Sequence, residues 1–186
     1  LASKESYASL GCAAYYFRAL IYYNLATRWG GVPIVRERTY DVVPISPEAD
    51  VWAFIIEDIE KALNLNTTMT DRFYVSKAAV QALAARIYLS VEDMTNANIM
   101  AQNLISMSSY ELASTSVEFG LPYASGTTSK EVIFAFANKR SSSYLNFVGY
   151  VNDVDASWNY APATEQYNSL FADDMSTNRT GDIRYN

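Results

Sequence analysis

The chain has 186 residues, enough for one domain with a real core, and no histidine, so the commonest metal ligand and the commonest neutral-pH general base are both missing. Its net charge of −6, with no basic cluster, disfavours nucleic acid and anionic membrane surfaces as partners. A single cysteine, Cys12, excludes a disulfide framework and a thiolate metal cluster.

The residues are 50% hydrophobic and 18% charged, ordinary for a globular protein, but 14% are aromatic, among them 15 Tyr. Tyrosine pairs an apolar ring with a wet hydroxyl, so part of that excess is expected at the surface. The first helix is read from about Glu5 to Trp29. It is stopped by Gly30 and Gly31, which tolerate left-handed backbone, and by Pro33, which cannot rejoin a helix. Its central run is so apolar that it is expected to be buried among other helices. Arg18 lies in that run and must find a carboxylate or carbonyls there. Trp29 and Pro33 read as a helix stop and a packing corner. Ser9-Leu10-Gly11-Cys12 has the outline of a lipoprotein cleavage site, but the apolar run follows the cysteine instead of preceding it, so a buried helical cysteine is the reading. The longest apolar stretch, Cys12 to Ala26, is interrupted by Arg18 and Asn24 and falls short of a membrane span.

A second helix is expected to open at Ser46-Pro47-Glu48, with Ser46 as N-cap and proline at the first helical position. Val51, Trp52, Ile55, Ile56, Ile59, Ala62 and Leu63 form a 3.6-residue stripe, leaving Glu57, Asp58, Glu60 and Lys61 to water, with Glu57 and Lys61 spaced for a weak ion pair. The third helix follows the N-cap Ser76 and carries Ala79, Leu83 and Ile87, with Ala82, Ala85 and Leu89 beside them. A fourth starts at Thr95, capped by its hydroxyl, and buries Ala97, Ala101, Leu104 and Ile105. The short link from Val91 to Met94 makes helices three and four an antiparallel hairpin of about 30 residues, near the tetratricopeptide unit. Helices one and two form a second hairpin with a longer connection from Gly30 to Ser46.

After Tyr110 the helical period fades. Val132-Ile133-Phe134-Ala135-Phe136 reads as a short strand or an extended core segment, Asn138 to Ser157 as loop, and Ala163 to Phe171 as a short helix before a polar tail. The fold class is therefore mainly α: tetratricopeptide-like hairpins over 1–110 as a scaffold, then a loop-rich segment over 111–186 with short strands. Such a segment on a helical scaffold is where function usually sits.

Four segments in this order resemble the SusD/RagB family of outer-membrane nutrient-binding lipoproteins: Phe17 to Leu25 running into Arg28-Trp29-Gly30-Gly31-Val32-Pro33-Ile34, Val51 to Leu63, Val75 to Leu89, and Lys130 to Phe136. The resemblance covers roughly residues 15 to 136. It implies a helical scaffold docked on a TonB-dependent (SusC-like) outer-membrane transporter, with loops that capture a glycan or peptide at the cell surface, no enzymatic activity and no cofactor. The chain is short for the family and shows neither its signal peptide nor its lipid-bearing cysteine, which implies a fragment with an incomplete ligand side.

Ligand residues do not follow from the family motifs. A sugar site needs a flat aromatic face for the ring's C–H face, and amides or carboxylates for its hydroxyls. Asp153 to Tyr160 offers that mixture: Trp158 and Tyr160 as stacking platforms, Asn159 and Asp155 as hydrogen-bond partners. The plainer alternative is that Trp158 plugs its loop onto the core. Tyr144 and Tyr150 are weaker candidates. Asn152, Asp153 and Asp155 could offer calcium oxygens, and Asp174 to Asn178 starts like a calcium loop, but Arg179 stands where glycine is needed and Tyr185 where the closing glutamate belongs. No metal is expected. Two other classes remain open: a helical-repeat interaction scaffold without its own ligand site, and a glycosidase using two of Glu118, Glu131, Asp153, Asp155 and Glu165, which no motif pairs.

Overall fold

The computed structural model describes residues 2–65, 67–115, 117–120 and 129–136, with side chains from residue 7 onward. Among the described residues four helices follow one another: α1 (Ala2–Trp29), α2 (Glu48–Asn64), α3 (Lys77–Ser90) and α4 (Met94–Ile105). α1 packs along α2, α3 along α4, and α2 against α3, while α1 and α3 barely touch. Two helical hairpins are thus stacked through their inner helices. Among the described residues the nearest approach to a strand is an isolated bridge between Pro33 and Ile45.

The apolar stripe of α2 forms as its period dictates. Val51, Phe54, Ile55, Ile59 and Ala62 are buried, each large side chain contributing about 1.5–3 kcal/mol by leaving water. Asp58 corrects the sequence reading. Expected in water, it is fully buried, because it falls one turn after Phe54 and one turn before Ala62 on the inner face. The capping differs as well. Pro47, with extended backbone (φ −55, ψ 149), is itself the N-cap and no side chain caps the helix. The Pro47 carbonyl accepts from the amides of Asp50 and Val51 instead.

α1 is less enclosed than its composition suggests. Cys12, Tyr16, Ala19, Tyr22 and Ala26 are buried at helical spacing, but Leu10, Ile21 and Trp29 stay exposed, so Trp29 is no packing corner. Cys12 lies wholly inside, its Sγ 3.5 Å from the Ala62 carbonyl. Burial pushes its thiol above the ordinary range, and does the same to the Tyr16 and Tyr88 hydroxyls. A group that holds its proton more tightly when folded contributes stability that is complete below its unfolded pKa and lost as pH rises through the folded value. The urea midpoint is therefore expected to fall as pH is raised above about 8.5, the ordinary thiol value. At the same pH iodoacetamide should label Cys12 only in denaturant. Ready labelling of the folded chain would show that the thiol is not enclosed.

α3 is the central helix, and its small residues allow that: Ala78, Ala79 and Ala84 are buried with Val80, Leu83 and Ile87. Ser76 caps it as read, its hydroxyl accepting from the Ala79 amide at 3.2 Å. Leu89, by contrast, is exposed. The α3–α4 link is a single tight turn. Glu92 adopts φ 60, the left-handed region, and the Asp93 amide reaches back to the Tyr88 carbonyl at 2.9 Å, closing α3 in a Schellman arrangement without glycine. Asp93 then caps α4 through the Asn96 amide at 3.0 Å, which moves the helix start one residue ahead of Thr95. Those hydrogen bonds hold the Asp93 carboxyl below its usual range. On α4 only Ala97 is buried; Ile105, expected inside, is exposed, since among the described helices α4 packs against α3 alone.

Residues 132–136 form no strand. Ile133 and Phe134 lie against the core as an extended segment, tied on by the Ala135 amide to the Arg72 carbonyl at 3.0 Å. Phe134 meets Tyr16 and Phe17 edge-on at ring distances of 5.7 and 6.0 Å. The segment after the repeats is thereby fastened to α1.

Candidate functional site

The 17-residue connection from Gly30 to Ser46 is a strap whose two ends meet. Gly30 (φ +67) closes α1, its amide bonding the Ala26 carbonyl at 2.8 Å. Gly31 is needed for another reason: a Cβ there would stand 2.6 Å from the Ser46 carbonyl oxygen. The Ser46 amide in turn bonds the Val32 carbonyl at 3.1 Å. Gly31→Ala is expected to cost about 1–3 kcal/mol, because the obstacle is backbone and cannot swing aside. Thermal melts of the variant check this, and an unchanged midpoint would mean the strap relaxes freely.

Side chains of α1 and α2 pin the strap's first half. The buried Tyr22 hydroxyl donates to the Pro33 carbonyl at 3.1 Å and accepts from the Val35 amide at 2.8 Å. Arg18 grips Asp58 with two parallel hydrogen bonds, Nε to Oδ2 at 2.6 Å and Nη2 to Oδ1 at 2.8 Å, and its Nη1 donates to the Arg36 carbonyl at 3.0 Å. Arg36 pairs with Glu57 at 3.0 Å. Its guanidinium and that of Arg18 lie 4.6 and 4.9 Å from the Phe54 ring centre, while Tyr22 meets the same ring edge-on at 5.0 Å. Hydrogen bonds from Lys61 and then Arg36 hold the Glu57 carboxyl below its usual range. The expected Glu57–Lys61 pair is present at 2.5 Å. Arg18 thus has the carboxylate it was expected to need. Its partner, Asp58, is read from the sequence as part of the wet face of α2.

Where the scaffold ends, a polar cavity of about 220 Å³ opens between residues 111–118 and 129–131. Two carboxylates shape it. Glu118 accepts from the amide and the hydroxyl of Ser114, both at 2.8 Å, and Glu131 accepts from the Ala113 amide at 3.0 Å. Lys130 pairs with Glu111 across the rim at 2.5 Å. The Ser114 hydrogen bonds hold the Glu118 carboxyl below its usual range. Glu118 is thus a fixed hydrogen-bond acceptor that staples its loop.

The residues read from the sequence as ligand contacts, Trp158, Tyr160, Asn159 and Asp155, lie outside the described residues, as do Tyr144, Tyr150, Asp153, Glu165 and both calcium-like stretches. Among the described residues no group of His, Cys, Asp or Glu is arranged to hold a metal ion, and no helix is long and apolar enough to cross a membrane.

Comparison with known proteins places this geometry. Residues 1–89 match the SusD-like family model described as "Starch-binding associating with outer membrane". SusD-like proteins P38 and P2 of Formosa agariphila are 28% and 32% identical to the chain over 104 residues, in each case 53% of this chain and 21% of the relative. The chain therefore spans about a fifth of the length of the curated relatives it matches. A SusD superfamily protein from Bacteroides vulgatus superposes with a TM-score of 0.62 at 26% identity, over 72% of this chain and 34% of that one. A laminarin-binding SusD-like protein superposes with a TM-score of 0.59 at 20% identity, over 66% of this chain and 29% of that one.

Proposed function

We propose, since residues 1–89 match the SusD-like family model, that the chain is part of a cell-surface component that binds oligosaccharide and hands it to a TonB-dependent outer-membrane transporter. The observation that carries this reading is the match over residues 1–89 to a family described by starch binding at the outer membrane. The helices are the scaffold. The segment beyond residue 110 supplies the ligand side, with Trp158 and Tyr160 as stacking rings and Asn159 and Asp155 as hydrogen-bond partners. On this reading the protein is lipid-anchored at the outer surface and is a binding protein, not an enzyme.

The test is calorimetric titration of the full chain with maltoheptaose, laminarihexaose and a wider oligosaccharide panel. Binding to at least one member is expected, weakened about tenfold or more in Trp158→Ala, a change of about 1.4 kcal/mol. No binding across the panel would overturn the reading. An interaction scaffold without its own ligand is the second reading, favoured by the stacked hairpins. It predicts retained affinity for the transporter alongside that negative result.

A further inference from the structure

We draw no further inference here: the strongest candidate, the cavity of about 230 Å³ that Arg72, Lys77, Ser109 and Tyr110 line between the α2–α3 connection and the turn after α4, rests on the N-terminus of α3, and nothing in the structure shows what occupies it.

Discussion

Arg18→Ala is expected to be among the most damaging single substitutions in the scaffold, lowering stability by about 3–5 kcal/mol. It leaves the Asp58 carboxylate, fully buried, without the two guanidinium hydrogen bonds that compensate its loss of water. The reverse change should be milder. Arg18 keeps 29% of its side chain in solvent, so in Asp58→Ala the guanidinium can turn toward water and retain its bond to the Arg36 carbonyl. The asymmetry is the useful part, since a surface ion pair would give small and equal effects of about 0–1 kcal/mol in both directions. Urea unfolding of the two single variants and of Arg18→Met combined with Asp58→Leu measures it. The double variant should recover much of the loss, because it removes both charges and keeps the volume. Equal, small losses in the two alanine variants would mean that Asp58 is hydrated.

Phe54→Ala is the second large effect, expected at about 3–5 kcal/mol. The ring is 1% exposed and is the common surface of Tyr22 from α1 and of the Arg18 and Arg36 guanidiniums. Its removal opens a cavity where α1, α2 and the strap meet. Phe54→Leu restores most of the volume but no π face, so it should recover more than half of the loss while leaving the strap looser. Hydrogen exchange can separate the two consequences. In Phe54→Leu the Val35 amide, held by the Tyr22 hydroxyl, should exchange faster relative to the amides of α3. Uniform acceleration throughout would mean that the ring contributes volume alone and does not hold the strap.

Much of the helical architecture is legible in the chain itself, because helix signals are local. The 3.6-residue stripe of α2, the Ser76 cap, the Gly30 stop and the short link before α4 each depend on residues within a turn or two of one another. Where a local reading failed, a neighbour from elsewhere had intervened. Leu89 and Ile105 sit at plausible core positions but face outward, and Leu10, Ile21 and Trp29 do the same on α1. An apolar residue is buried only where another element arrives to cover it, and the period of a helix does not say where that is. For residues 132–136 the sequence leaves a short strand and an extended core segment both open, and the structure takes the second. A strand needs a partner edge, and these residues meet the aromatic side chains of α1 and a turn carbonyl instead.

The candidate site divides along the same line. That Arg18 must be paired followed from its place in an apolar helix, whereas its partner lies 40 residues away. The polar cavity beside Glu118 and Glu131 joins segments that no motif links. By itself the sequence determined that there are four helices here, where they end to within a few residues, that they form hairpins, and which family they resemble, since these depend on short-range periodicity and on the order of segments. Only the tertiary structure decided that Asp58 is buried, that the strap is clamped by Tyr22, Arg18 and Arg36, and which apolar side chains stay in water. Each of those outcomes is set by which surfaces approach one another across long stretches of chain, and burial and hydrogen-bond satisfaction have no value until that approach is made.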